Sequence, residues 1–283
     1  FQAVFAGQVG VCLQRSLDAA RTENKGLRIR LRLNDTPELA ALPWEYLFDA
    51  EHNRFLTLSE ETPLVRYLEL TQGEQRLQVQ PPLRLLVLSS DPSDVAPRLN
   101  VEREWQRLQE ALAPLLQRHV VTLERLPHAT LAALQRTLRR GEYHLFHFIG
   151  HGWFNEATGA GGLLLEDAEG KGLQVTVERL APLLHDHRSL RLAFLNACEG
   201  AQADRREPFA GVAQYLVQQG LPAVIAMQFA ITDRAAITLA QDFYQALADG
   251  YPVDTALAEA RKAIYAQGSD MEWGTPVLFS RSD

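Results

Sequence analysis

Sulfur is scarce in this chain: among 283 residues there are two cysteines, Cys12 and Cys198, and two methionines. Two thiols cannot build a disulfide framework and suit a reducing compartment, so a cytoplasmic setting is expected. No apolar run approaches the roughly 18 residues that span a bilayer. The best candidate, Leu221 to Ile231, is broken by Pro222 and Gln228, and no membrane partner is expected. A charged-then-apolar leader is also missing. Positive charge is outnumbered, with 28 Lys and Arg against 35 Asp and Glu for a net charge of −7. Nucleic acid requires a concentrated basic face, so it too is not an expected partner. There is no GxGxxG or GxxxxGK[ST] loop, the glycine-rich turns that cradle a cofactor's phosphates, and no cofactor is expected. What the chain does have is 46% hydrophobic and 22% charged residues, enough to bury a full core.

From Leu83 onward strand-like and helix-like stretches alternate. Leu83 to Ser90 is a short apolar run stopped by Asp91-Pro92, which predicts a buried strand. Val101 to Leu116 has helical spacing, with Trp105, Leu108, Leu112 and Leu115 on one stripe. A strand is expected over His119 to Leu126 and a helix over Thr130 to Arg139, with Thr130 as its cap. A strand running to His151 follows, and then a hairpin from Leu163-Leu164-Leu165 to Leu173-Gln174-Val175 through Glu169 to Gly172. Helices are expected over Thr176 to Leu184, Phe209 to Gln219 (stopped by Gly220), Asp233 to Asp249 and Pro252 to Gln267. Between them lie strands at Leu190 to Cys198 and Pro222 to Phe229, with Thr275 to Ser280 closing the sheet. Strand–helix repetition with near-continuous apolar strands predicts an α/β fold: a mainly parallel sheet with helices on both faces, a three-layer sandwich. Residues 1–80 differ. Leu27 to Leu33 alternates leucine and isoleucine with Arg28, Arg30 and Arg32, the pattern of a half-exposed antiparallel strand. This part is expected to be a β-rich extension packed on a core of residues 81–283, with Pro81-Pro82 near the boundary.

Two of the apolar strands end abruptly on a reactive residue beside glycine: Phe146-His147-Phe148-Ile149-Gly150-His151-Gly152 and Phe194-Leu195-Asn196-Ala197-Cys198-Glu199-Gly200. Strand ends of a parallel sheet are where loops gather and ligands bind. A thiol needs a base to become a nucleophile, and histidine takes and returns a proton near neutral pH. Cys198 and His151, 47 residues apart, are the candidate pair. The amides of Gly152 and Cys198 are the candidate donors to a developing oxyanion. Either residue alone is more often a core residue; both together, each flanked by glycine, favour the catalytic reading. Cys12 sits in an ordinary stretch and is read as structural. His144, His147 and His151 would align as metal ligands on a helix, but the strand-forming residues around them turn His144 away from His147, so no metal site is assigned. His185 and His187 flank Asp186 in a polar turn and are expected to be solvated.

The His151-Gly152 and Asn196-Ala197-Cys198-Glu199-Gly200 motifs resemble those of the caspase-like cysteine proteases, and more closely the CHAT domain, a bacterial branch related to separase. The resemblance also takes in Leu42-Pro43-Trp44-Glu45, Thr62-Pro63-Leu64-Val65-Arg66, Ile231-Thr232-Asp233, Ala256-Leu257 with Ala260-Arg261, and Trp273-Gly274-Thr275-Pro276. It implies a caspase-like sandwich and peptide-bond hydrolysis of a protein substrate without metal or cofactor, Cys198 acting as nucleophile and His151 as acid and base. It further implies a role in bacterial defence or regulated cell death, and a regulatory partner or helical-repeat region. Asn196 stands where Asp-specific caspases carry glutamine, and Glu199 lies beside the nucleophile; both are candidate substrate-binding residues. Asp233 matches the place of a carboxylate that accepts an arginine side chain in separase-like members, so a basic residue, arginine over lysine, is expected before the scissile bond (P1). Capping of the following helix by Asp233 or Thr232 is an equal alternative. The charged stretch 201–208 is either a solvated loop or a segment cut after Arg205 or Arg206. A latent or non-catalytic docking module on the same fold is the rival reading.

Overall fold

The computed structural model describes residues 1–33, 36–68, 79–96, 98–155, 157–158, 160–197, 208–269 and 271–281. The chain opens with α1 (Gly7–Thr22), β1 (Ile29–Leu31), one helical turn α2 (Pro37–Ala40), a small hairpin of β2 (Phe48–Asp49) and β3 (Arg54–Phe55), and β4 (Leu64–Tyr67). There follow β5 (Leu83–Ser89), α3 (Val101–Gln117), β6 (Val121–Arg125), α4 (Leu131–Arg140) and β7 (Leu145–Gly150). A meander of β8 (Gly152–Asn155), β9 (Ala160–Glu166) and β10 (Gly172–Thr176) leads to α5 (Val177–His185) and β11 (Leu192–Ala197). The last elements are α6 (Pro208–Gln218), β12 (Ala223–Met227), α7 (Asp233–Ala248), α8 (Val253–Ala266) and β13 (Pro276–Ser280).

One eight-stranded sheet runs β1-β4-β13-β12-β11-β7-β5-β6, parallel except where β12 and β13 run antiparallel. Its strands are apolar on both sides because both sides are covered. One face carries Leu86, Phe146, Phe148, Leu195 and Val224 against α4, α5 and α6, through Leu134, Leu180 and Leu216. The other carries Leu85, Val87, Ile149, Phe194 and Ile225 against α3, α7 and α8, through Leu112, Leu239 and Leu257. Leu112 is wholly buried, and truncating such a leucine to alanine costs about 2–5 kcal/mol. This is the expected three-layer α/β sandwich. Thr130 accepts a hydrogen bond from Ala133 N at 3.1 Å and caps α4 as predicted. Gly220 stops the helix before it at φ +116°, lying so close to His185 that a Cβ would meet Nδ1 at 2.4 Å.

Several local expectations change. β1 pairs in parallel with β4, Arg30 opposite Val65, not antiparallel. Alternation reports that one side of an edge strand faces water, and says nothing of strand direction. Cys12 is exposed on α1, a helix that buries only Leu17, and so has no core role. His187 is half-buried rather than solvated: its Nε2 accepts from Tyr143 N at 2.8 Å, and burial lowers its pKa. On α3 the buried stripe is Glu104, Leu108, Leu112 and Leu115, while Trp105 is only half-buried, with the Arg125 guanidinium 5.5 Å from its ring.

Candidate functional site

The sheet order reverses between β5 and β7. From β5 the chain steps outward to β6, then returns to the other side of β5 and continues through β11 to β12. The crevice beyond the carboxyl ends of the strands at such a reversal is the usual place for a ligand in an open α/β sheet. β7 and β11 are parallel neighbours there, paired from Leu145↔Leu192 to Gly150↔Ala197. His151 follows β7 directly and is 3% exposed; its carbonyl accepts from Leu164 N at 2.9 Å, which ties it to the meander. Gly150 allows the strand to finish close to β5, since a Cβ there would lie 2.6 Å from Phe148 Cζ and 3.1 Å from the Ser90 carbonyl oxygen. Gly152 is buried and begins β8, opposite Leu163 of β9. Cys198 and Glu199, with residues 200–207, lie outside the described residues; Ala197, the last of β11, is the residue bonded to Cys198.

Below His151 on the same face, His147 is 2% exposed, stacks on Phe194 with ring centroids 4.7 Å apart, and pairs through Nδ1 with the Tyr244 hydroxyl at 2.8 Å. Burial lowers its pKa from 6.5 to about 3, so the ring is neutral, and pushes the Tyr244 phenol well above its usual range. His144 stands apart at the start of the strand, where its Nδ1 accepts from Arg84 N at 3.1 Å. The structure therefore does not gather the three histidines.

Asn196 is 5% exposed on β11, and its Oδ1 has no hydrogen-bond partner among the described residues. Asp233 opens α7, where Thr232 rather than Asp233 supplies the cap, accepting from Ala235 N at 3.4 Å. The Asp233 carboxylate, 47% exposed, lies 3.9 Å from Arg107 Nη1 of α3. A cavity of about 520 Å³ opens at the carboxyl ends of β5 and β6, lined by Ser89, Glu102, Arg125, His128 and Glu166 among others. Its two guanidiniums are already committed, since Arg125 holds Glu102 through two bonds of 2.6 and 2.8 Å and Arg98 holds Asp91 at 2.7 Å.

Away from the crevice, the other sequence motifs meet in one buried polar cluster. Glu45 and Arg66 pair at 2.9 Å with side chains 1% and 6% exposed. Arg66 also donates to the Ala40 carbonyl at 2.7 Å, and Gln228 bridges Glu45 Oε2 at 3.0 Å and the Gly274 carbonyl at 2.7 Å. Nearby Arg261, its pKa lowered by burial to about 10, donates to the Pro276 carbonyl at 2.6 Å. Residues from the 42–45, 62–66, 256–261 and 273–276 segments thus belong to one structural device.

The CHAT domain model matches residues 9–278. The chain belongs to the CHAT domain family. Among solved structures, this CHAT chain is similar to the Arg specific cysteine proteinase gingipain R, at TM-score 0.56 and 13% identity, over 98% of this chain and 68% of that one. It is also similar to separase in the Saccharomyces cerevisiae separase–securin complex, at TM-score 0.46 and 13% identity over 86% of this chain. The Drosophila initiator caspase Dronc matches at TM-score 0.45 and 13% identity, over 77% of this chain and 91% of that one. The CHAT chain spans 15% of the length of the separase chain. No curated protein matches by sequence. The fold is therefore similar to that of gingipain R, a mainly parallel α/β sandwich of the kind the family resemblance implied.

Proposed function

We propose that this CHAT domain is a cysteine endopeptidase acting through Cys198 and His151. The observation that carries the reading is the parallel pairing of β7 with β11, which ends with Gly150 opposite Ala197, the residues bonded to His151 and Cys198. In the proposed reaction His151 takes the Sγ proton and the thiolate attacks the substrate carbonyl carbon. The oxyanion is held by the amides of Gly152 and Cys198. His151 then returns the proton to the departing amine as the C–N bond breaks, leaving a thioester that water hydrolyses. A polypeptide is the substrate and no cofactor takes part.

Asp233 supports a basic P1 residue, since it opens the helix that follows β12 and lies 3.9 Å from an arginine head group, that of Arg107. The segment 201–208 is a candidate site of self-cleavage after Arg205 or Arg206, for which intact mass before and after incubation is the test. We assign the domain a cytoplasmic setting in bacterial defence or regulated cell death, under a regulatory partner or helical-repeat region. Residues 1–80 are taken as an extension packed on a protease core of residues 81–283. A latent form draws support from the 3% exposure of His151, which an activator would have to uncover.

The test is cleavage of a fluorogenic peptide library varied at P1 by the wild type and by Cys198→Ala. Turnover after arginine or lysine that disappears in the variant is expected. Turnover that survives the loss of the thiol would sink the mechanism. Silence from both would favour latency or a docking module.

A further inference from the structure

Deep in the sheet, His147 of β7 and Phe194 of β11 are register partners and project to the same face. His147 stands four residues before His151, and Phe194 four residues before Cys198. At about 3.3 Å per residue that is roughly 13 Å, too far for the imidazole to reach a substrate at the strand ends. The two rings are stacked, 11° from parallel with centroids 4.7 Å apart. Tyr244 of α7 completes the group. Its ring lies 5.9 Å from that of His147 and 6.0 Å from that of Phe194, and its hydroxyl meets Nδ1 at 2.8 Å. All three residues are buried, while Leu145 and Ile149, the neighbours of His147 on that face of β7, are apolar. Burial keeps the imidazole and the phenol neutral, so a single uncharged hydrogen bond joins helix to strand. Apolar side chains would fill the same space without the desolvation that these two polar groups must overcome. What they would lack is direction, since a hydrogen bond holds its partners to a narrow range of distance and angle.

We propose that His147 and Tyr244 are positioning residues of the site, holding β7 and β11 in the lateral arrangement that brings His151 to Cys198. The inference rests on the cysteine-protease reading and goes beyond it, to residues that touch no substrate. The hydrogen bond runs from α7 to β7 and the stack from β7 to β11, so any rotation of β7 disturbs one or the other. Ladder bonds alone do not set that rotation, because the twist between neighbouring strands varies over roughly 10–35°. Across roughly 13 Å, a change of about 5° displaces a strand end by about 1 Å. A misplacement of that size is enough to cost about a hundredfold in rate.

The experiment uses the full chain as wild type, Tyr244→Phe, His147→Gln, and Tyr244→Phe combined with His147→Leu. Leu134→Ala, on the opposite face of the sheet, is the control for lost stability. Each is followed by thermal unfolding, by kcat and KM on the best-cleaved peptide of the P1 library, and by the pH dependence of Cys198 alkylation with iodoacetamide. Mass spectrometry separates Cys198 from the exposed Cys12. A thiol paired with an imidazole titrates below the ordinary value of about 8.5. Tyr244→Phe is expected to lower kcat by about tenfold to a hundredfold with KM unchanged, and to return the Cys198 titration toward about 8.5. His147→Gln should shift both in the same direction and decides alone if Tyr244→Phe fails to fold. The double variant, an apolar pair in place of a polar one, should regain stability yet stay slow. Recovery of kcat in the double variant, or an equal fall in Leu134→Ala, would mean a structural role only and overturn the proposal. Unchanged kcat and titration in Tyr244→Phe would overturn it too, with the Cys198–His151 pair intact. Where the peptide is not turned over, the alkylation profile decides among these outcomes. If wild-type Cys198 titrates as a free thiol and His151→Ala changes nothing, the protease reading itself fails and the proposal with it.

Discussion

A histidine sealed inside a parallel sheet behaves differently from one in water. His147 keeps a neutral ring because its pKa drops from 6.5 to about 3 through burial. The unfolded chain takes up that proton near pH 6.5, and the folded chain does not until about pH 3. Across that window the unfolded state binds more protons, so stability is lost as pH falls, by at most about 1.4 kcal/mol per pH unit from this residue. His147→Gln should therefore flatten the acid side of a stability profile measured by urea unfolding; superimposable slopes would count against this account. The Glu45–Arg66 pair makes a second prediction. With side chains 1% and 6% exposed, removing one partner strands the other, and Glu45→Ala is expected to cost about 3–5 kcal/mol in the same assay. The two residues were legible as motif members, but not as partners, because nothing in a linear sequence joins position 45 to position 66. Glu104 was more nearly legible. It sits four residues before Leu108 on an apolar stripe, and a carboxylate there is a sign that Trp105, a bulky neighbour one position on, obscured.

Helices and buried strands are where local chemistry and tertiary structure agree. Thr130 and Thr232 both lie where a side-chain oxygen can meet the amide three residues on, and both do so. Thr130→Ala should lower the midpoint of thermal unfolding by the equivalent of about 1 kcal/mol; Thr130→Ser should largely preserve it. Parallel strands were readable because burial on two faces leaves their residues no choice but to be apolar. β1 was read in the wrong direction because strand direction is set by which neighbour the topology provides, in this case β4. α1 left little trace: with one buried residue it lacks the stripe that reveals a helix. The helix-start motif at Ile231-Thr232-Asp233 was readable as a cap or a pocket, and the structure assigns the cap to Thr232, leaving Asp233 to face Arg107.

At the scale of the molecule, the main sheet joins distant parts of the chain. β13 lies between β12 and β4, with Phe279 paired to Arg66 and Ser280 to Tyr67. Starting the chain at Leu83 would uncover the edge of β13 and remove Arg66 from its cluster. Such a shortened protein is expected to elute from a sizing column as aggregate rather than as a sharp monomer peak. A sharp peak with the full chain's cooperative unfolding would show that β4 is dispensable. The same arrangement has a consequence in time. On the ribosome the strand that β4 will lie beside emerges only after more than two hundred further residues. Until then β4 and β1 have no sheet to join, and Gln228, which bridges Glu45 and Arg66, has no Gly274 carbonyl to hold it. The domain therefore finishes itself only when synthesis of this stretch is over.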